Sequence, residues 1–196
     1  MIKPLFYFIL SASIISCGSK DASVEKVSVD TSDIIDISEV SNEKKQIVSE
    51  ILKFDKVIDD RNFEELTNIL DTPKRIEDIE LVTTNPKLRN AIEQNSSRLS
   101  SDVVKEHFDV LFTEMDLNLI SNAIKNANKD ELLTKNKIES VVTIDSCEYN
   151  TEILMADKDV KFNIKRSTDL PSCKKDQQWK FKSNGEYLIL DRRYYL

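Results

Sequence analysis

Glycine is nearly absent from this chain: its 196 residues contain two, Gly18 and Gly185. Glycine-rich phosphate loops, the dinucleotide-binding fingerprint and the tight turn that presents a catalytic serine in many hydrolases each need glycines at fixed spacings. Histidine is scarcer still, since His107 is the only one. The sequence therefore excludes these nucleotide-binding and hydrolase motifs, and it offers no histidine pair for acid–base catalysis or metal binding.

Few residues remain that could form a catalytic or metal site. His107 lies beside the apolar stripe of a predicted helix, where acidic residues at neighbouring helical positions do not face it as a general base requires. Asp55, Asp59 and Asp60 cluster at the end of another predicted helix. They lack the spacing of a calcium loop, and a solvated helix end is the more typical explanation. We therefore predict a protein that is not an enzyme and that carries no metal or cofactor.

The charge of the chain is acidic overall and unevenly distributed. Lys and Arg number 28 against 35 Asp and Glu, a net charge of -7. Residues 18–157 carry 17 basic and 30 acidic side chains, a net charge of -13, whereas residues 158–196 carry 10 and 5, a net charge of +5. Nucleic-acid binding needs a concentrated basic surface, so the acidic excess argues against a nucleic-acid partner.

The amino terminus has the pattern of an exported protein. Lys3 precedes an apolar run over residues 5–15. This run is too short to cross a membrane, since a transmembrane helix needs about 20 apolar residues. It ends in the tetrapeptide Ile-Ile-Ser-Cys at residues 14–17, which resembles the lipobox of bacterial lipoproteins at all four positions. The resemblance implies cleavage before Cys17 and attachment of acyl chains, such as palmitate, to that cysteine.

These features predict three segments: a signal peptide over residues 1–16, a lipidated Cys17 with a flexible tether over 17–41, and one globular domain over 42–196. Several acyl chains together make a stable membrane anchor. We expect the protein in the bacterial cell envelope, facing the periplasm or the cell surface, and Gly18 after the lipidated cysteine favours the outer membrane. The open alternative is an ordinary signal peptide cut nearby, with the Cys17 thiol left free.

Two cysteines remain once Cys17 is lipidated, namely Cys147 and Cys173. An even pair in an exported protein predicts a disulfide bond, because compartments outside the cytoplasm are oxidising. The alternative is two buried free thiols.

The first part of the domain has helical periodicity. Ser41 can cap an amphipathic helix in which Ile47, Ile51, Phe54 and Ile58 recur at spacings of four, three and four.

Further helices are expected downstream. Asn62 and Glu65 form a capping-box-like start for a second helix, and Pro86 can open a third. A continuous helix is predicted from Asp102, and Asp116 can cap its continuation.

From residue 138 the apolar period changes from 3.6 to 2, which predicts β-strands. The dipeptide Asn184-Gly185 suits a two-residue type I′ turn. Such a turn would set four residues on one buried face in two cross-strand pairs, Phe181 with Leu188 and Trp179 with Leu190. Helices followed by an antiparallel meander predict an α+β fold, in which the amino-terminal helices pack on one face of a curved sheet.

The layout of residues 42–196 resembles the NTF2-like superfamily (SnoaL-like, cystatin-like roll). It has a long first helix, the segment Asp-Asp-Arg-Asn-Phe-Glu-Glu-Leu opening a second, further helices, and a closing meander near Trp-Lys-Phe and Gly-Glu-Tyr-Leu-Ile-Leu. The resemblance implies a curved sheet that wraps a helix into a cone, whose mouth holds a ligand, a substrate or a side chain of a partner. That superfamily contains enzymes and binding modules alike, so the resemblance does not select an activity.

Lysines alternate with apolar residues on two predicted strands: Lys161 and Lys165 on one, Lys180 and Lys182 on the other, with Tyr187 beside them. Four more basic residues are expected to add charge nearby: Lys174, Lys175, Arg192 and Arg193. Such a face would hold an acidic partner protein or an anionic envelope polymer. The alternative is a solvated sheet face whose lysines prevent aggregation.

The sequence therefore predicts a membrane-anchored, non-enzymatic module that binds a ligand or a protein in the cell envelope. Two alternatives stay open at this point. One is a periplasmic immunity or inhibitor protein that neutralises a toxin or hydrolase, and the other is a SnoaL-like enzyme.

Overall fold

The computed structural model describes residues 40–196. The helices in this range are α1 (Asn42–Asp59), α2 (Phe63–Ile69), α3 (Ile76–Ile79), α4 (Pro86–Gln94), α5 (Ser101–Glu106), α6 (Phe108–Glu114), α7 (Leu117–Asn126) and α8 (Lys129–Thr134). The strands are β1 (Lys74–Arg75), β2 (Arg98–Leu99), β3 (Lys137–Ile144), β4 (Cys147–Ala156), β5 (Asp159–Arg166), β6 (Gln177–Ser183) and β7 (Leu188–Tyr195). The predicted signal peptide and Cys17 lie outside the described residues, as does the predicted tether up to residue 39.

Helix α1 forms as its apolar spacing predicts. The Ser41 side chain accepts a hydrogen bond of 3.1 Å from the backbone N–H of Lys44 and so satisfies one of the free donors at the helix start. Ile51 and Phe54, which are 0% and 1% exposed, belong to the apolar stripe that α1 buries in the core. No helix among residues 40–196 has the length and apolar character needed to span a membrane.

The helices predicted after α1 are present with one interruption, and α3 and α8 are further helices that the sequence did not predict. The Asn62 side chain caps α2, and α4 starts at Pro86 as expected. The predicted continuous helix from Asp102 is instead broken at His107, which separates α5 from α6 with its backbone at φ -115° and ψ 24°. The partly buried His107 therefore sits at a helix junction rather than within a helix.

Strands β3 to β7 form one antiparallel sheet in sequential order, and the amino-terminal helices precede it. The α+β fold is thus confirmed. Contacts of α7 with β3 and β4, and of α1, α2 and α3 with β7, place these helices on one face of the sheet. Strand residues on that face are almost all buried, whereas those on the opposite face, called here the outer face, are half-buried or exposed.

The hairpin between β6 and β7 differs from the predicted one. Ser183 pairs with Leu188, so the loop contains four residues rather than two. Asn184 shapes this loop, because its side-chain oxygen accepts hydrogen bonds of 2.9 and 2.8 Å from the backbone N–H groups of Glu186 and Tyr187. Gly185 has φ +92°, a conformation that favours glycine.

The predicted cross-strand pairs are consequently wrong. Phe181 pairs with Leu190, and Trp179 pairs with Arg193. The partner is shifted by two residues at Phe181 and by three at Trp179, and the third residue comes from a bulge between them, so each side chain keeps its predicted face. The buried face was therefore predicted correctly, since Trp179, Phe181, Leu188 and Leu190 are all at most 1% exposed.

A β-bulge changes the direction of the side chains at the end of β7. Lys180 pairs with Arg192 and Phe181 with Leu190, which leaves Asp191 without a partner in the ladder. A bulge of this kind re-aims the residues that follow it. As a result Arg192 lies on the outer face and is exposed, whereas Arg193 points into the core and is 1% exposed.

A disulfide bond joins Cys147, at the start of β4, to Cys173, in the segment between β5 and β6. This confirms the predicted pairing. The bond holds residues 167–176 against β4, where the backbone N–H of Lys174 donates a hydrogen bond of 2.8 Å to the Tyr149 hydroxyl.

We predict that replacing Cys147 and Cys173 together by serine lowers the free energy of unfolding by roughly 3.5 kcal/mol, since the cross-link restricts the unfolded chain. Urea unfolding of the variant and of the parent protein measures this difference. In the unreduced parent protein, alkylation after denaturation should find neither of these thiols, and modification of both would contradict the disulfide.

Candidate binding face

Three cations lie side by side on the outer face, on three neighbouring strands. Lys161 of β5 is the direct register partner of Lys180 on β6, and Lys180 is the partner of Arg192 on β7. We call these three residues the cation row. Because neighbouring strands are about 4.8 Å apart, the row extends roughly 10 Å across the sheet.

The cation row lacks internal neutralisation. Like charges directly opposite each other destabilise a strand pair. Among residues 40–196, no Asp or Glu oxygen lies within 4.0 Å of a charged nitrogen of Lys161, Lys180 or Arg192. Lys180 does find one favourable contact, since its ammonium lies 5.1 Å from the ring centroid of Tyr194. Within the described part of the fold, the row is thus a line of three cations that form no ion pair, although the exposed Asp159 and Asp191 lie near it.

The other predicted face residues lie at different places. Lys165 and Lys182 are exposed on the outer face, opposite Asn150 and Asp159 respectively. Tyr187 is not part of the strand face, because the four-residue loop contains it. There the ammonium of Lys53 on α1 lies 3.5 Å from the centroid of its ring.

A second row runs parallel to the first and is linked by hydrogen bonds. The Tyr194 hydroxyl donates to the Gln178 side-chain oxygen. Gln178 Nε2 donates to Asn163 Oδ1 at 2.5 Å, and Asn163 Nδ2 donates to Glu152 Oε2 at 2.5 Å. These four residues, the hydrogen-bonded row, connect β4 to β7. Each side chain orients the next, so the amide groups are held in fixed positions.

The acidic end of this row is neutralised by Lys137 at the edge of the sheet. Lys137 Nζ lies 2.7 Å from Glu139 and 2.9 Å from Glu152. The hydrogen bond from Lys137 lowers the pKa of the Glu152 carboxyl below its ordinary value. Most cations of the outer face thus lie on β5, β6 and β7, where Asp159 and Asp191 are exposed near them, and Lys137 pairs with the carboxylates at the β3 edge.

Two residues that were expected to add charge to this face, the buried Arg193 and the half-exposed Lys174, are paired with the buried Asp116 instead. The Arg193 guanidinium lies against the Trp179 ring, and its Nε donates to Gln177 Oε1 at 3.1 Å. Its terminal nitrogen lies 3.5 Å from Asp116 Oδ2. The Lys174 ammonium lies 2.8 Å from Asp116 Oδ1, close enough for an ion pair although not in hydrogen-bond geometry.

Asp116 has a different role from the predicted helix cap. It occupies the position before α7 with φ 57°, but its side chain makes no capping hydrogen bond. Instead the carboxylate, which is 2% exposed, faces Arg193 and Lys174 as its two cationic partners. The expected contributions of Arg193 and Lys174 to the outer face were thus wrong, because a buried carboxylate requires cationic partners.

Near both edges of the sheet, a side chain donates a hydrogen bond to a backbone carbonyl of the edge strand. On β7, Lys74 Nζ donates to the carbonyl of Leu190 at 2.6 Å. On β3, Asn126 Nδ2 donates to the carbonyl of Val141 at 2.8 Å. Groups bonded in this way cannot pair with an added strand. The outer face is therefore a better candidate for binding than either edge.

No protein-family model, curated protein or solved structure matches this chain.

Within residues 40–196 no group of three His, Cys, Asp or Glu side chains is arranged to hold a metal ion. Two of the aspartates at the end of α1 have partners within the protein. Lys125 Nζ lies 2.5 Å from Asp59 Oδ1, and Ser121 Oγ donates a hydrogen bond of 2.6 Å to Asp55 Oδ1.

Sequence analysis missed the hydrogen-bonded row, whereas Arg192 was expected to add charge near the face and does lie in the cation row. Asn163 and Gln178 alternate with apolar residues along their strands, as the predicted lysines do. That alternation is a usable signal for the face on which they lie. Their mutual contact requires the register between strands, and a period of two does not supply it.

Proposed function

We propose that this chain is a lipid-anchored lipoprotein of a bacterial cell envelope, with the outer membrane favoured. Its domain acts as a non-enzymatic module that binds an acidic partner protein or an anionic polymer through the outer face. The cation row is the observation that carries this proposal. Its three cations are cross-strand neighbours, and no carboxylate oxygen among the described residues lies within 4.0 Å of their charged nitrogens.

Electrostatic repulsion within the cation row favours binding of an anion. Repulsion within the cation row disfavours the unbound protein, so an anionic ligand that bridges the three side chains relieves this repulsion and forms charge-assisted hydrogen bonds. Arg192 adds a planar guanidinium that can bind a carboxylate through two parallel hydrogen bonds. The proposal includes the NTF2-like relationship, which the order of helices followed by a meander supports.

Removing three charges from the row should abolish binding and leave the fold intact. We expect Lys161→Gln, Lys180→Gln and Arg192→Gln in one protein to lose capture of its partner from native envelopes. Each change should alter stability by less than about 0.5 kcal/mol, because these side chains face outward. Pull-down with mass spectrometry and a thermal melt measure the two effects.

The matched control carries the same loss of charge on exposed helix positions, as Lys56→Gln, Lys87→Gln and Lys129→Gln. It should capture the partner as the parent protein does. If the row variant keeps every partner, the outer face is only a solvated surface. A captured toxin or hydrolase would identify the domain as an immunity or inhibitor protein.

The anchor is tested separately at Cys17. The lipobox resemblance predicts that Cys17→Ser abolishes incorporation of a fatty acid, because the acyl chains are attached through that sulfur. Metabolic labelling with an alkyne fatty acid, compared with a Cys147→Ser and Cys173→Ser control that keeps Cys17, measures this. Equal label on the Cys17 variant would exclude the proposed anchor.

A further inference from the structure

We infer that the outer face binds an acidic polysaccharide, a chain of sugars that carry carboxylates. This inference rests on the proposed function and adds the chemical class of the ligand. It follows from the relation between the cation row and the hydrogen-bonded row.

The two rows form a repeating array across three strands. Each strand places one cation and, two residues along, one neutral hydrogen-bonding group: Lys161 and Asn163 on β5, Lys180 and Gln178 on β6, and Arg192 and Tyr194 on β7. Two residues in an extended strand span about 6.8 Å. The surface therefore repeats a charged site beside a neutral polar site, at intervals of about 4.8 Å from one strand to the next.

An acidic polysaccharide offers the complementary groups. Every uronic-acid ring has one carboxylate and several hydroxyl groups, and the polymer repeats them along its length. The carboxylates suit the cation row, and the hydroxyls suit amide groups, which both donate and accept hydrogen bonds. Asn163 and Gln178 each use one donor and one acceptor within their row and keep further capacity for a ligand.

The hydrogen-bonded row is also ordered before any ligand arrives. Gln178 is held by Tyr194 on one side and by Asn163 on the other, and Asn163 is held in turn by Glu152. Fixed side chains lose less conformational entropy on binding than free ones. A shallow groove of about 480 Å³ continues beside this row, and its lining combines Lys165 and the amides of Asn150 and Asn163 with the carboxylates of Glu139 and Glu152.

The composition of the face favours a glycan over a protein. Tight protein interfaces depend on large apolar or aromatic anchors at their centre. On the outer face of the described strands, Tyr194 is the aromatic residue, and its hydroxyl is already engaged with Gln178. The large apolar side chains on this face are scattered: Leu154 and Ile189 are half-buried, and Val141 on β3 is 51% exposed. Around the two rows, charges and amides dominate the surface that a ligand would contact.

The test uses the purified mature chain and calorimetric titration with oligogalacturonate and oligomeric alginate, two polymers of uronic acids. Methyl-esterified oligogalacturonate and polyglutamate serve as comparisons, since the first lacks the charge and the second lacks the sugar. We expect binding of at least one uronate polymer. The affinity for uronate should fall by about tenfold or more when the methyl-esterified polymer is used. It should fall similarly in the variant with Lys161→Gln, Lys180→Gln and Arg192→Gln, because both changes remove charge-assisted hydrogen bonds.

A second variant separates sugar recognition from charge alone. The double variant Asn163→Leu and Gln178→Leu keeps the cation row and should lower the affinity for uronate by about tenfold. Polyglutamate is expected to bind more weakly than uronate, and its affinity should be the same for this variant as for the parent protein. Equal binding of polyglutamate and uronate, no effect of the leucine changes, or no binding of either uronate would overturn the inference. The proposed function would still stand in those cases if the row variant loses envelope capture, and it fails separately if capture persists.

Discussion

Replacing Arg193 by methionine is expected to lower the free energy of unfolding by about 3–5 kcal/mol, the usual cost of breaking a buried ion pair from one side. The guanidinium is 1% exposed and contacts Asp116, Gln177 and the Trp179 ring. Methionine fills much of the volume but leaves the Asp116 carboxylate with the partly exposed Lys174 as its remaining cationic partner, beside a hydrogen bond of 3.4 Å from Gln177. Urea unfolding followed by circular dichroism measures the loss.

The neighbouring arginine provides a matched control. Arg192→Met should change stability by less than about 0.5 kcal/mol, because that side chain is exposed on the outer face. The two residues are adjacent in the chain and chemically identical, so the comparison isolates the effect of the bulge at Asp191. Equal effects of both substitutions would show that the bulge does not direct Arg193 into the core.

Trp179→Ala should be about as destabilising, with an expected loss of about 3–5 kcal/mol. The indole is 0% exposed, lies parallel to the Phe181 ring at 6.1 Å between centroids, and donates a hydrogen bond of 2.9 Å to Gln177. Its removal leaves a large cavity and frees the Gln177 oxygen from one donor. The same unfolding measurement detects the loss.

Tyr194→Ala is the corresponding control on the opposite face of the sheet. It removes an aromatic ring that is half-buried, and we expect a smaller loss than for Trp179→Ala. A Trp179→Ala protein as stable as its parent would mean that the assigned buried face is wrong. The placement of the cation row on the outer face would then be wrong as well.

The features that the sequence predicts well are those decided by near neighbours along the chain. Helix α1 begins at its cap Ser41 and buries the expected stripe, because apolar spacing and capping act within a few residues. The inward set of the last hairpin, Trp179 and Phe181 with Leu188 and Leu190, follows from alternation alone. Alternation fixes the face even where the register is wrong.

The features that the sequence does not predict depend on contacts between distant segments. Arg192 and Arg193 are indistinguishable in the sequence, and the unpaired Asp191 decides which of them is buried. Asp116 has the character of a helix cap, yet its carboxylate pairs with Arg193, 77 residues away. The hydrogen-bonded row likewise forms only when four strands adopt one register.

The central claim is that the outer face contacts a ligand in the envelope, and photo-crosslinking in living cells tests it most directly. A benzophenone side chain at Lys165 or Lys182 lies on the outer face and leaves both rows intact. We predict adducts from these positions that disappear when the cation row is changed to glutamine, and none from the exposed Lys87 on α4. Adducts from Lys87 with none from Lys165 and Lys182 would contradict the claim.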